Sequence, residues 1–284
     1  MVPLWKIKRE LQRAFVPGYR TRIYSNVSKQ DKNYLNGLTK KYAGNRCFII
    51  GNGPSLTASD LEKIKDEISF ASNKIFLIYD QTSWRPNFYC VEDKLVFTQC
   101  LDEIQKLSGC KKLFPANFFS DTKRFEDAVC FPLIPPKNWD NPLEDSEFPE
   151  FNPDLTSGIA WGSTIVYTEI QLAIAMGFTE ICLLGLDHQY TDGKVSEGEK
   201  GVMVSDGEQN HFHPLYRLPG EKWHSPNLHV LEVSYAKARS EAEKLGVRIV
   251  NCSRRTRLNV FESEELESVL ARSSSGRPNL TGQV

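Results

Sequence analysis

A short apolar run that ends in a glycine-rich turn is the feature that most constrains the fold of this chain. The run covers 48–50, and it is followed by the turn Gly51-Asn52-Gly53-Pro54-Ser55. A helical pattern begins a few residues later, so this stretch predicts a strand, a tight turn and a helix. In an open α/β sheet, such a turn lies at the carboxyl edge of a parallel strand, where an anionic ligand can bind.

Each residue type in the turn has a role in such a site. The two glycines would let the backbone approach a ligand closely, and Asn52 offers an amide to a sugar or a base. Pro54 and Ser55 would stiffen the turn and begin the helix. A Gly-x-Gly turn is also a common packing device, so the turn alone leaves ligand contact open.

The turn departs from two familiar phosphate-binding motifs. Leu56 stands where a dinucleotide fingerprint has its third glycine, and the Gly-Lys-Ser/Thr ending of a P-loop is missing. NAD and ATP are therefore poor first candidates.

From Arg46 onward, strand-like apolar runs alternate with helical patterns. We predict strands at 47–50, 68–71, 87–91, 111–115, 128–132, 181–185 and 247–251. Helices are predicted at 29–42, 59–66, 94–107, 122–127, 162–176, 229–245 and 263–271. This alternation predicts an α/β fold with a mostly parallel, Rossmann-like sheet and helices on its faces.

Composition divides the chain into three parts. Residues 1–45 contain ten lysines or arginines against two acids, although the formal net charge of the whole chain is −1. We predict a basic helical segment over 1–45, a Rossmann-like domain over 46–272 and a disordered tail over 273–284.

The pattern over 4–15 is that of a basic amphipathic helix. It could lie on the inner face of a membrane, or pack on its own domain or on a second subunit of a homo-oligomer. A basic segment on a mildly acidic body does not indicate a nucleic-acid partner.

The cysteines and the hydropathy pattern predict a cytoplasmic protein. The seven cysteines include no C-x-x-C pair and several lie in apolar runs, which is typical of buried, reduced thiols. No apolar run approaches the roughly 18–20 residues that span a bilayer. The start of the sequence also lacks the apolar core of a signal peptide.

The stretch 188–228 is long, irregular and rich in reactive side chains. It contains four of the five histidines together with Tyr190 and Tyr216. A loop of this length in a compact domain is usually an active-site lid or an acceptor platform. Three of its histidines could form a zinc site, but each could equally make a single hydrogen bond, and we predict no metal site. These histidines are His211, His213 and His224.

Polar groups follow several of the predicted strands. Asn73 and Asp187 each come two residues after a predicted strand, and Thr156-Ser157-Gly158 precede a predicted helix. Because the carboxyl ends of parallel strands share one edge, we expect these groups to meet the glycine-rich turn in one ligand site. Hydroxyls and N–H groups before a helix can bind a phosphate or a carboxylate.

The order of these motifs resembles known families. It is similar to that of the CMP-sialic acid sialyltransferases of glycosyltransferase family 42. It equally resembles the DUF115-type motility-accessory-factor and 6-hydroxymethylpterin pyrophosphokinase-like proteins, which the segments 220–224 and 251–261 resemble more. The resemblance covers about residues 46–262 and rests on Gly-Asn-Gly-Pro-Ser-Leu, Asn73, Thr156-Ser157-Gly158, 173–181, Gly185-Leu186-Asp187 and His224-Ser225.

The resemblance implies a sialyltransferase-like fold, a variant of the GT-A type, and a glycosyltransferase. The enzyme would move a sialic acid- or Kdo-like sugar from a CMP-activated donor to a glycan or glycolipid acceptor. Asn52, Asn73, Ser157 and Asp187 would contact the nucleotide sugar. The sequence has no D-x-D run, so a tightly held catalytic divalent ion is not implied, and no cofactor is expected.

The resemblance also assigns catalytic roles. His224 would be the general base, since an imidazole with a pKa near 6.5 can remove the proton of an acceptor hydroxyl. Tyr190 and Tyr216 would stabilise the leaving CMP phosphate.

Two further hypotheses stay open. Val91-Glu92-Asp93 stand where the sialyltransferases carry an asparagine, and this acidic pair would repel a carboxylated sugar. In a pterin pyrophosphokinase-like enzyme, Glu92, Asp93 and Asp187 would instead hold Mg²⁺ for ATP. A catalytically inactive nucleotide-binding scaffold, attached to a membrane through residues 1–45, is the third hypothesis.

Overall fold

The computed structural model describes residues 27–116, 125, 127–190, 194–195 and 201–272. The predicted helix at 4–15, most of the predicted helix at 122–127 and the predicted tail at 273–284 lie outside these residues.

The described residues form strands and helices in the alternation that the sequence predicts. In chain order the strands are β1 (Arg46–Ile50), β2 (Ser69–Ser72), β3 (Phe88–Cys90), β4 (Lys111–Pro115), β5 (Ala128–Phe131), β6 (Leu133–Ile134), β7 (Ile159–Ala160), β8 (Glu180–Leu184), β9 (Lys194–Val195), β10 (Val202–Val204), β11 (Lys222–His224), β12 (Arg248–Asn251) and β13 (Glu262–Ser263). The α-helices are α1 (Lys29–Leu38), α2 (Ala58–Lys63), α3 (Lys94–Gln99), α4 (Leu101–Lys106), α5 (Ile165–Ala175), α6 (Leu228–Lys244) and α7 (Leu266–Ala271).

An eight-stranded sheet forms the centre of the fold. Its strand order is β13-β12-β8-β1-β2-β3-β4-β5, and each neighbouring pair is parallel. The predicted α/β fold with a mostly parallel sheet is therefore confirmed. All seven predicted strands are present, and their ends differ from the prediction by at most one residue.

Strand β1 shows how the sheet is covered on both faces. Cys47 and Ile49 pack in an apolar cluster with side chains of α1, α5 and α6. Phe48 and Ile50 pack on the other face with side chains of α2, α3, α4 and α7. All five residues of β1 are buried, which explains why the strand reads as a continuous apolar run instead of an alternating one.

Some predicted helices are shorter than expected or are broken, and α2, predicted over 59–66, ends at Lys63. Helix α1 stops at Leu38, because Lys40 adopts a left-handed backbone and its N–H bonds to Ala175 O at the end of α5. The helix predicted over 94–107 is two helices, α3 and α4, that meet at the non-helical residue Cys100.

The stretch 188–228, predicted as irregular, contains a small antiparallel sheet in the order β11-β10-β9. Strands of two or three residues carry too little periodicity to be recognised in a sequence. The sheet lies beside the carboxyl edge of the central sheet, where Gln99 Nε2 donates to Lys222 O at 2.9 Å.

Each of the seven cysteines is buried and none is in a disulfide, as predicted. Within the described ranges, none of the helices combines the length and the hydropathy that a membrane span requires.

The strand order creates a crevice at one place in the sheet. From β1 the chain adds β2 to β5 on one side, whereas β8, β12 and β13 lie on the other side. Such a switch point leaves an opening at the carboxyl ends of the two central strands, and ligands of open α/β sheets bind there.

Candidate functional site

A cavity of about 120 Å³ occupies the crevice between β1 and β8. Its walls are the residues that follow β1, β2 and β8, the start of α5, and side chains from 188–216 and from α6. The structure thus brings together many of the predicted site residues. These are Gly51, Asn52, Gly53, Asn73, Asp187, Tyr190 and Tyr216.

The two glycines of the turn make room for the neighbouring turn after β8. A Cβ atom on Gly53 would lie 1.9 Å from Asp187 Oδ2, and one on Gly51 would lie 2.5 Å from Gly185 O. Neither glycine has a left-handed backbone, so their requirement is steric. The packing role is therefore clear, while close approach to a ligand stays a prediction.

Asp187 joins the same two turns. Its carboxylate is buried, and Oδ2 accepts a hydrogen bond from Ser55 N at 3.0 Å. A charged acceptor on a backbone N–H makes a stronger hydrogen bond than a neutral one. Asp187 therefore fixes the shape of the glycine-rich turn, in addition to lining the cavity.

Three buried polar atoms beside the cavity have no hydrogen-bond partner among the described residues. They are Asn52 Oδ1, Asn73 Oδ1 and Ser72 Oγ. The great majority of buried polar atoms in folded proteins are paired, so each exception calls for an explanation. The two amide oxygens would be satisfied by a ligand that brings N–H or O–H donors into the cavity.

The structure holds both asparagines in place. Asn52 Nδ2 donates to Ser72 O at 3.2 Å, while Asn52 Oδ1 is buried beside the cavity without a partner among the described residues. Asn73 has a left-handed backbone, with φ of 54°, and Tyr89 Oη donates to Asn73 O at 2.7 Å. Such backbone strain at a non-glycine residue tends to occur at functional sites.

Two histidines line the cavity, and they have different surroundings. His211 stacks on Tyr216, with ring centroids 3.7 Å apart. Burial, together with the nearby cations Arg217 and Lys74, holds the pKa of His211 well below its ordinary value. His211 is therefore a neutral ring at neutral pH.

His188 also has a left-handed backbone, with φ of 51°. Its Nε2 atom lies 3.2 Å from Glu232 Oε1, on α6. A carboxylate bonded to one ring nitrogen fixes the tautomer of an imidazole, so that the other nitrogen can accept a proton.

Tyrosine hydroxyls complete the lining. Burial raises the pKa of Tyr216, which therefore remains a hydrogen-bond donor at neutral pH. Tyr190 also lines the cavity, and it is partly exposed to solvent. Tyr235 Oη lies 3.4 Å from Oγ1 of Thr164, the residue that precedes α5.

Two predicted groups lie elsewhere. His224 is on β11 with an exposed side chain, and its Nδ1 atom is 2.9 Å from Asp93 Oδ2. The hydroxyls of Thr156 and Ser157 donate to the carboxylate of Asp154, which organises the turn before β7. Neither His224 nor 156–158 lines the cavity. Thr164, not Thr156, is the residue that brings a hydroxyl from the start of α5 to the cavity.

The remaining residues of the glycine-rich turn, Pro54 and Ser55, line a second cleft of about 450 Å³. This cleft shares Asp187, Gln189 and Asn210 with the cavity. The two spaces are therefore neighbours around one carboxylate.

The residues proposed as magnesium ligands are not gathered in the structure. Thr168 Oγ1 donates to Glu92 at 2.5 Å, and Asp93 accepts from Leu95 N at the start of α3. Only Asp187 of the three lines the cavity. Within the described ranges, no three His, Cys, Asp or Glu side chains are placed to share a metal ion. Glu92, Asp93 and Asp187 therefore do not form the predicted Mg²⁺ site. His211, His213 and His224 do not form a zinc site either.

The sequence did not identify several residues of the cavity, among them four with polar side chains that could contact a ligand. His188 follows directly on Asp187, so its place in the motif could have indicated it. Thr164, Asn210 and Tyr235 gave no such signal, because only the packing of α5, α6 and the loop brings them to the crevice.

Comparison with known proteins agrees with the fold. The structure of the MAf glycosyltransferase from Magnetospirillum magneticum AMB-1 is similar, with a TM-score of 0.51 and 14% sequence identity. The match covers 94% of this chain and 39% of that chain, so this chain spans well under half of the glycosyltransferase. No curated protein matches significantly.

A family model gives the relationship in sequence. The model described as 6-hydroxymethylpterin diphosphokinase MptE-like matches residues 21–193, which is more than half of the chain. The predicted DUF115-type relationship is thereby confirmed, and the protein belongs to the 6-hydroxymethylpterin diphosphokinase MptE-like family.

Proposed function

We propose that this protein is a glycosyltransferase that moves a sialic acid- or Kdo-like sugar from a CMP-activated donor to a glycan or glycolipid acceptor. The observation that carries the proposal is the cavity at the switch point, with its two unpartnered asparagine oxygens. The likeness of the fold to a glycosyltransferase and the sialyltransferase-like motif order support it.

The cavity suits the donor groups of a cytidine nucleotide. The exocyclic amine of cytosine and the ribose hydroxyls can donate to Asn52 Oδ1 and Asn73 Oδ1. The neutral, stacked pair of His211 and Tyr216 provides a flat aromatic wall beside them. The hydroxyls of Tyr216 and Tyr190 would donate to the phosphate as negative charge develops on it, which lowers the barrier to departure.

The general base is the part of the proposal in which structure and sequence differ. The motif order assigns this role to His224, but the structure places it outside the cavity lining. His188 lines the cavity and has a carboxylate partner in Glu232, so its position favours it as the base. In either case the imidazole would take the acceptor's proton as the new glycosidic bond forms.

A binding screen tests the choice of nucleotide. We expect CMP to raise the melting temperature of the full chain more than UDP, GDP or ATP, without added metal. Asn52→Ala should abolish most of this shift, whereas Asn36→Ala, at an exposed position on α1, should retain it. Equal shifts from all four nucleotides, or an unchanged shift in Asn52→Ala, would contradict the proposal.

Release of CMP from CMP-N-acetylneuraminate and CMP-Kdo tests the base. His188→Asn should lower kcat by roughly 100-fold or more, while His224→Asn should remain near wild type. The opposite result would return the role to His224 and require a movement of β11.

The family description favours a second function, an ATP-dependent pterin diphosphokinase. It predicts that ATP stabilises the protein only with Mg²⁺ and that a hydroxymethylpterin is converted to its diphosphate. The proposed ligand set is the weak point of this function: of Glu92, Asp93 and Asp187, only Asp187 lines the cavity, whereas Glu92 accepts from Thr168 and Asp93 from Leu95 N. An inactive scaffold would instead bind a nucleotide without turnover, and deleting the first 16 residues would end its recovery with membranes.

A further inference from the structure

The cleft beside the cavity has an arginine that the proposed reaction does not use. The cleft lies between the turn after β1 and the segment 253–255, which follows β12. Arg254 and Arg255 both line it, with Ser55, Thr57 and Gln209 opposite or beside them.

Arg254 has a structural role. Its guanidinium donates to Ser55 O at 3.0 Å and also forms an ion pair with the fully buried carboxylate of Asp60. The same carboxylate accepts from Thr57 in the capping box of α2. Arg254 therefore fastens 253–255 to the glycine-rich turn, and its charge is balanced by Asp60.

Arg255 differs from its neighbour. Among the residues that the structure describes, none forms an ion pair or a hydrogen bond with its guanidinium. The fixed position of Arg254 nevertheless keeps the backbone of Arg255 at the edge of the cleft. A guanidinium presents a planar fork of N–H donors, which matches two oxygens of a phosphate or a carboxylate.

The volumes of the cavity and the cleft indicate a ligand that extends from one into the other. Sites for small organic ligands usually measure about 300–1,000 Å³, so the cavity of about 120 Å³ is too small for a nucleotide sugar and an acceptor. The cleft of about 450 Å³ continues from the cavity around Asp187. Arg255 lines the cleft but not the cavity, so an anionic group in the cleft would gain a charge-assisted contact that the cavity does not offer.

We propose that this cleft is an anion subsite, in which Arg255 binds a phosphate or carboxylate of a ligand that extends out of the cavity. Two sources have this chemistry, the phosphate of the nucleotide donor and an acidic group on the acceptor. The inference rests on the proposed function only for the identity of the ligand, because the cleft and its arginine are features of the fold.

Equilibrium titration of the full chain with inorganic pyrophosphate, CMP and cytidine tests the subsite. Arg255→Gln should weaken pyrophosphate binding by roughly tenfold or more, as expected for loss of a charge-assisted pair. Arg255→Lys keeps the positive charge but lacks the planar fork of N–H donors, so its affinity for pyrophosphate should lie between those of the wild type and Arg255→Gln. Arg257→Gln removes the same charge two residues away, outside the cleft lining, and should bind pyrophosphate within about twofold of wild type.

The probes separate the two sources. If Arg255→Gln weakens CMP binding but not cytidine binding, the cleft holds the donor phosphate. If Arg255→Gln weakens the binding of pyrophosphate but not that of CMP or cytidine, the cleft holds an acidic group of the acceptor. Pyrophosphate binding that is absent in the wild type, or equal in Arg255→Gln and Arg257→Gln, overturns the subsite. If the wild type binds pyrophosphate through Arg255 but does not bind CMP, the proposed function fails and the subsite stands.

Discussion

Replacing Gly53 by alanine is expected to destabilise the protein by about 3 kcal/mol. The new Cβ would lie 1.9 Å from Asp187 Oδ2 and 2.7 Å from Gly185 O, so both neighbours must move. Overpacking of this kind typically costs about 1–3 kcal/mol. Displacement of the carboxylate also weakens its hydrogen bond with Ser55 N, and hydrogen bonds to charged groups contribute about 1.5–3 kcal/mol.

The measurement is urea unfolding followed by tryptophan fluorescence, with calorimetry as a second probe. A loss of about 3 kcal/mol should lower the melting temperature by roughly 6–12 °C in a chain of this size. We also expect folded Gly53→Ala to bind CMP more weakly than the wild type, because the turn that carries Asn52 must shift. This loss of affinity is separate from the loss of stability.

Gly37→Ala is the matched control. Gly37 lies in α1, and a Cβ there meets nothing within 4 Å. An exposed helical glycine is about 0.5–1 kcal/mol less favourable than alanine, so this variant should gain stability. The steric argument is wrong if Gly53→Ala unfolds within about 0.5 kcal/mol of wild type.

Three further changes test the surrounding fold by the same unfolding assay. Arg46→Ala should cost about 3–5 kcal/mol, because the buried guanidinium pairs with Glu67 at 2.6 Å, and a loss below about 1 kcal/mol would refute this. Burial raises the pKa of Glu92 to about 7 from 4.5, so the unfolded state loses this proton at lower pH than the folded state does. The unfolding free energy should therefore fall by up to about 3 kcal/mol as pH rises from 4.5 to 7. In Glu92→Gln this fall should be smaller, and the prediction is contradicted if the plots of unfolding free energy against pH are parallel for the variant and the wild type. Asn227→Ala removes the side-chain cap of α6 and should cost about 1 kcal/mol, with no change in CMP binding.

Local sequence patterns were enough to identify the strands of the central sheet. Strands such as β1 and β8 are continuous apolar runs, and the turns that end them contain glycine. The rule that parallel strands share one carboxyl edge then placed Asn52, Asn73 and Asp187 together, as the structure does. These inferences need only information from neighbouring residues.

Local patterns could not identify every residue that lines the cavity. Tyr235 lies within α6, and nothing in that helix's sequence marks it as facing a cavity. Thr156 and Thr164 both precede α5, and only the hydrogen bonds to Asp154 show that the first organises a turn instead of the cavity.

The sequence by itself determined the fold class, the positions of the parallel strands and the edge of the sheet at which the cavity lies, because hydrophobic periodicity and turn chemistry are local. Only the tertiary structure decided which histidine lies at the cavity, that the two glycines are required by the neighbouring turn, and that Arg255 lines a cleft beside it. Those properties depend on contacts between residues more than a hundred positions apart in the chain, such as Gly53 with Asp187, and no local pattern encodes them.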